Sequence, residues 1–329
     1  MLKDMMPHFD LYQPDTLDAA VDLAGRLGTD GWLLGAGQDS YDWLKNRTKR
    51  TPAVIELAGI DALKGVREVD GGLEIGALTT LTEIEEHPVV RERFRVLSLA
   101  AGRVASPQIR NAGTLGGNLC QDARCWYYRY GVDCYRAGGN MCYADTPEGM
   151  NREHAILGAS RCVAVSPSDT ATAVVALEGV MVIRSTKGER LVPAADFFVQ
   201  PAINIQRMTV LEPGEILVAV RIPAKWSGAS YYFEKIADRA AWDFALVSIA
   251  SVFVFEGDLI KDASMVCGAV ACVPWVLKGS QDALRGQPRT AETSDKAAWA
   301  AVVGAKPLHY NHFKLPLMEN LVRRAIREA

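Results

Sequence analysis

"TLGGNLCQDARC", residues 114–125, decides how this chain is read. It joins a Gly-Gly pair, which lets a backbone or ligand come close because no Cβ intervenes, to an Asn and to two cysteines five positions apart. Outward from this stretch the chemistry divides. Upstream, "GAGQDS" (35–40) is a second glycine loop and directly follows the apolar run "GWLL". Downstream, Cys125, Cys134, Cys142 and Cys162 fall in a region rich in Tyr, Arg and Gly that breaks all hydrophobic periodicity, the character of a loop held by something other than a core. Cys120 also lies there, so five of the seven cysteines cluster between 120 and 162.

The bulk composition is that of an ordinary folded protein. Among 329 residues, 49% are hydrophobic and 23% charged, a length and composition that suit two domains or one large one. A net charge of −3 argues against a nucleic-acid partner. No apolar run reaches membrane-spanning length and the N-terminus lacks the features of a signal peptide, so a cytoplasmic location is expected, with export on a folded partner's signal left open. Clustered thiols in the cytoplasm point to metal or redox work rather than disulfides.

Periodicity predicts a helix over 14–28, capped by Asp15 or Thr16 and ended by Gly28, and strands at 31–34 and 53–57. A hairpin is expected around Asp70-Gly71-Gly72, with helices over 80–86 and 91–104. "CVAVS" (162–166) reads as a return to regular structure, followed by a helix from "PSDTATAVVAL" and strands at 180–185 and 216–222. A second unit starts near 226, with β-like runs at "YYFEKI", "ALVSIASVFVF" and "ASMVCGAVACV" and helices at 291–303 and 316–328. Neither glycine loop has the Walker or dinucleotide-fingerprint spacing, so each alone reads as a tight turn rather than a phosphate cradle.

Several motifs together resemble the FAD-binding medium subunit of the xanthine oxidase family of molybdenum hydroxylases. They are "IRNAGTLGGN" (109–118), "GAGQDS", Pro167-Ser168-Asp169, the turn Pro213-Gly214-Glu215, and the spaced set Lys235, Arg239, Asp243, Ala245 and Val247. The closing "KPLHYNHFKLPLMENLVRRAI" also resembles the family's last segment. The first loop departs from the family form at Ala36 and Gln38, which stand where Gly and Thr are usual. The resemblance implies an α+β fold: an FAD-binding domain of two subdomains, of the vanillyl-alcohol-oxidase/PCMH type, over 1–225 with a cysteine-rich insertion at 119–163. A C-terminal α+β domain of the CO dehydrogenase flavoprotein type follows over 226–329.

It also implies sites. Leu33, Leu34, Gly35, Ala36, Gly37, Gln38, Asp39 and Ser40 would wrap the FAD pyrophosphate. Thr114, Gly117 and Asn118 would contact diphosphate and ribose, and Asp169 would hold a ribose hydroxyl. Lys235 would sit near the isoalloxazine and tune its potential, supported by Arg239 and Asp243. A subset of the family, including 4-hydroxybenzoyl-CoA reductase and periplasmic-type aldehyde oxidoreductases, carries an inserted [4Fe–4S] cluster. On that pattern Cys125, Cys134, Cys142 and Cys162 are the ligands, Cys120 is a buried free thiol, and Cys267 and Cys272 pack in the core. Arg124, Arg129 and Arg136 would offset cluster charge, Trp126, Tyr127, Tyr128 and Tyr130 would cover the cluster, and His154 would bond a sulfur. The implied partners are a molybdopterin-binding large subunit, a [2Fe–2S] small subunit and a one-electron carrier such as ferredoxin. Rival readings are a cofactor-poor scaffold whose cysteines hold zinc and a stand-alone FAD oxidoreductase.

Overall fold

The computed structural model describes residues 5–329 and holds three sheets. Strands β1 (Asp10–Tyr12), β2 (Gly31–Leu34) and β3 (Ala53–Glu56) form a parallel sheet in the order β1-β3-β2. Parallel strands of one sheet need crossover connections, and the helix Leu17–Leu27 lies in the one between β1 and β2. Thr16 caps it by accepting from Ala19 N, Gly28 ends it, and its buried face is Ala20, Val21, Leu23 and Ala24.

The second sheet is antiparallel: β4 (Val66–Val69), β5 (Gly72–Gly76), β6 (Val180–Ser185), β7 (Gly188–Pro193) and β8 (Ile216–Ile222), ordered β4-β5-β8-β6-β7. Asp70 and Gly71 both take positive φ between β4 and β5, the requirement of a two-residue hairpin turn. The third sheet is antiparallel too: β9 (Ser230–Ile236), β10 (Val247–Glu256), β11 (Leu259–Gly268) and β12 (Trp275–Val276), with β13 (Gln287–Pro288) beside β11.

That third sheet is covered on both faces, and strand alternation divides its side chains. Val247, Ile249 and Phe253 join the core beneath the helices Lys278–Leu284, Ala291–Ala301 and Lys314–Glu328. Ala250 and Val252 face the opposite core, shared with the helices Arg95–Gly102 and Asp169–Ala176. Each fully buried aliphatic side chain there contributes roughly 1.5–3 kcal/mol. No helix among the described residues is long and apolar enough to cross a membrane.

Three local expectations need correction. The helix expected over 91–104 is two, Pro88–Arg93 and Arg95–Gly102. Phe94 breaks it because its ring is fully buried and because Gly228 N and the Tyr231 hydroxyl donate to the Arg93 carbonyl. "CVAVS" is not a strand; only isolated bonds such as Ser166 N to Ala271 O, 2.9 Å, hold it. "TLGGN" is not a loop but the start of the helix Leu115–Cys120.

Candidate functional site

The fold leaves a cleft of about 1350 Å³ between the two glycine motifs, the Ser-Asp element and the loop after β9. Small-molecule pockets run to roughly 300–1,000 Å³, so this one has room for a dinucleotide. Gly35, Ala36, Gly37, Gln38, Asp39 and Ser40 line it with Leu33, whereas Leu34 turns away to pack on Leu44 and Val54. Gly37 has φ +78°, and a Cβ there would lie 2.4 Å from the Tyr41 ring. No backbone N–H from Ala36 through Asp39 donates to a protein group among the described residues. Successive unpartnered N–H groups in a turn form an anion-binding concavity. The Ser40 hydroxyl is engaged, accepting from Trp32 Nε1 at 2.9 Å.

The second motif works differently. Its N–H groups from Leu115 to Asn118 are spent: Leu115 on Thr79 O, Gly116 on Ala77 O, Gly117 on Thr114 Oγ1 and Asn118 on Thr114 O. Gly116 is a packing residue, since a Cβ would stand 2.9 Å from both Ala77 Cβ and Ala77 O. Gly117 lies on the cleft wall beside Thr114, where a Cβ would meet only Thr114 Oγ1, at 3.1 Å. Asn118 ties the motif to the Ser-Asp element: its Oδ1 accepts from Ser168 Oγ (2.7 Å) and Thr170 Oγ1 (2.6 Å). Glycine therefore supplies closeness at the second motif and amide donors at the first.

Asp169 and Lys235, read separately from sequence, form one unit. Lys235 Nζ is 2.6 Å from Asp169 Oδ2 and donates to Arg103 O at 3.0 Å, with both side chains buried at the cleft wall. Burial pushes the Asp169 carboxyl up, against the pull of the Lys235 ammonium. Arg239 and Asp243 stand at the mouth. Asp243 accepts from Arg239 N and Phe244 N, both at 3.0 Å, which fixes a tight turn in which Trp242 has φ +58°. The Arg239 side chain is 63% exposed and donates to Trp242 O.

Behind the cleft is a small enclosed cavity. Cys125, Cys134, Cys142 and Cys162 all line it, together with Tyr127, Tyr128 and Arg136. Cys120 does not; it is half-buried, packs against the main core and lines the cleft, and burial pushes its thiol up to about 12. Burial raises the Cys125 thiol to about 11 and raises Cys142 as well. Cys162 is shifted down to about 6, first by its hydrogen bond with Cys272 and then, against burial, by Arg136. His154 Nε2 lies 3.2 Å from Cys125 Sγ. Cys267 is a core residue, but Cys272 reaches the thiol group and donates to Ala164 O at 2.6 Å. Arg124 and Arg129 face Asp39, at 2.8 and 3.5 Å, leaving Arg136 as the guanidinium in the cavity wall. The aromatics also divide: Trp126 and Tyr130 stack on one another at the cleft, largely exposed. Asp122 escaped the sequence reading. It is buried and bonded to Lys49, Tyr128 and Arg136, and its only signal was its place in "QDARC".

Residues 7–225 match the family model for the FAD binding domain in molybdopterin dehydrogenase, and residues 231–329 match the CO dehydrogenase flavoprotein C-terminal domain. The chain belongs to the FAD-binding medium subunits of the xanthine oxidase family. It is 34% identical over 302 residues to the aldehyde oxidoreductase FAD-binding subunit PaoB of Escherichia coli K12, covering 90% of this chain and 91% of that one. It is 27% identical to the carbon monoxide dehydrogenase medium chain of Hydrogenophaga pseudoflava, over 98% of this chain and 97% of that one. A solved structure of carbon monoxide dehydrogenase from the same organism matches with a TM-score of 0.79 at 26% identity, covering 99% and 98% of the two chains. This medium subunit is thus the FAD-binding, oxidoreductase component of a molybdenum hydroxylase-family complex.

The residues of this medium subunit fit the flavin: free N–H groups run from Ala36 to Asp39, and the wall at Gly117 has no side chain. Its thiols form a donor set of the composition a [4Fe–4S] cluster takes. Among the described residues no three His, Cys, Asp or Glu converge on a single-ion site; the thiols surround a cavity rather than a point.

Proposed function

We propose that this subunit is an electron conduit. FAD would occupy the cleft, and Cys125, Cys134, Cys142 and Cys162 would hold a [4Fe–4S] cluster. Electrons would pass between a [2Fe–2S] small subunit and an external one-electron carrier such as ferredoxin, while a molybdopterin-binding large subunit transforms the substrate. Bound FAD supplies the interconversion of one- and two-electron transfer. The protein's part is positional and electrostatic. The amides of Ala36 to Asp39 would receive the pyrophosphate. The Asp169–Lys235 pair keeps a positive group fixed at the wall, where it would favour negative charge on a flavin edge. Tyr127 and Tyr128 would keep water from the cluster, which shifts its potential.

One observation carries the reading: Cys125 lines both the cleft and the thiol cavity, so the two sites share a wall. The test is cofactor content. Cys134→Ser should lose most iron and keep FAD, whereas Cys120→Ser should keep both. If Cys120→Ser strips the iron while Cys162→Ser retains it, the ligand set is wrong.

A further inference from the structure

We infer that Arg136 sets the reduction potential of the thiol-held cluster, keeping it higher than the four thiolates alone would; this rests on the cluster reading above. The Arg136 side chain is 1% exposed and forms part of the cavity wall beside all four cysteines. Among the described residues its one carboxylate neighbour is Asp122, at 3.5 Å. Its Nε and Nη2 are buried without a hydrogen-bond partner. Asp122 cannot neutralise it alone, because the same carboxylate pairs with Lys49 and accepts from Ala123 N. Two cations share one anion, and the surplus positive charge lies on the thiol side. An isolated guanidinium is costly to bury and keeps its proton, so its place requires negative charge close by. The other arginines of the insertion do not line the cavity: Arg124 and Arg129 are committed to Asp39, Arg152 pairs with Asp238, and Arg161 is exposed over the Tyr135 ring.

The chemistry is a single electron transfer. One electron arrives from reduced flavin, or from dithionite in a titration. No bond forms or breaks, and the added charge stays within the cavity. A fixed cation at its wall favours the reduced form over the oxidised one.

The experiment uses the full chain as it assembles in the cell, with iron and FAD assayed and both couples titrated by EPR and absorbance. Arg136→Gln should keep about four irons per FAD and lower the cluster's reduction equilibrium constant at least tenfold, about 59 mV for a one-electron couple. The flavin couple should not move, because Arg136 is not in the cleft wall. Arg136→Lys, which keeps the charge, should stay within threefold of wild type. Full iron at an unchanged potential in Arg136→Gln overturns the inference and leaves the cluster reading standing; wild type without iron overturns the cluster reading itself. If Arg136→Gln is iron-free, Arg136→Lys decides. Iron retained at near wild-type potential supports the charge argument, and iron lost in both variants assigns Arg136 to shape alone.

Discussion

Adjacent glycines at 116 and 117 should fail in different ways when each is changed to Ala. At Gly116 the new Cβ would meet the Ala77 carbonyl oxygen at 2.9 Å, and that carbonyl is held by the Gly116 N–H at 2.7 Å. Backbone cannot swing aside as a side-chain tip can, so the strain falls near the top of the overpacking range, about 3 kcal/mol. Ala gains about 1 kcal/mol over Gly in a helix. The difference, about 2 kcal/mol, corresponds to a fall in Tm of roughly 4–8 °C. At Gly117 the new Cβ meets only Thr114 Oγ1 at 3.1 Å, a contact that relaxes by a few tenths of an ångström, so helix propensity offsets it and Tm should move by no more than about 2 °C. That methyl group projects into the cleft, however, and should weaken FAD at least tenfold, about 1.4 kcal/mol. Thermal unfolding of flavin-free protein reads the first effect, and quenching of flavin fluorescence on refilling reads the second. The division of labour is refuted if Gly117→Ala takes up FAD as wild type does, or if Gly116→Ala loses FAD at unchanged Tm.

Asp39→Asn keeps the shape, but it removes the charge facing Arg124 and Arg129 and leaves one acceptor where Oδ1 accepts from Trp43 Nε1 (2.9 Å) and Oδ2 from Asp122 N (3.1 Å). It should cost roughly 2 kcal/mol and speed tryptic cleavage within 120–160 several-fold; an unchanged cleavage rate would mean the insertion is anchored elsewhere. Glu215 accepts two bonds from Arg190, at 2.7 and 2.6 Å, and Arg190 holds its carboxyl below the usual glutamate value of 4.5. The unfolded chain therefore binds the proton more readily, so this stabilisation is present above pH 4.5 and fades as pH falls below it. Glu215→Gln should lose about 1 kcal/mol at pH 7 and flatten the acid limb of the stability profile, and a limb of unchanged slope would count against it.

What the sequence made legible follows the range of the physics. The helix over Leu17–Leu27 was readable because Thr16, the apolar stripe and Gly28 are local signals. The strands β9 and β10 were readable because runs of β-branched and aromatic residues need no partner to be recognised. The break at Phe94 was not, because it depends on a carbonyl captured by residues more than 130 positions away. Likewise "GGN" looks like a flexible turn, and only the Ala77 backbone lying against Gly116 makes it a helix start. At the site, Asp169 and Lys235 both line the cleft, but their contact with each other was not legible, since 66 residues separate them. Cys272 is buried, as the apolar run around it implies, but its approach to Cys162 was not legible, because Ala269 takes φ +60° just after β11 and the chain leaves the sheet there.

The short path from Asn118 to Cys125 explains why one stretch holds both chemistries. Asn118 is locked to Ser168 and Thr170, and the helix it belongs to carries the chain to Cys120, which is half-buried against the core at the cleft wall. The next residues have little freedom. Asp122 N is held by Asp39, the Arg124 guanidinium returns to the same carboxylate, and Cys125 then enters the wall between the two cavities. A cysteine loop needed only as a staple could sit on any surface turn. This one accepts the desolvation of Arg124, whose burial lowers its affinity for a proton, to keep its first thiol beside the flavin cleft. The cost is reasonable if that adjacency is the purpose: flexing of the insertion would vary the distance between the flavin cleft and the thiol cavity, and the Asp39 anchor restrains it.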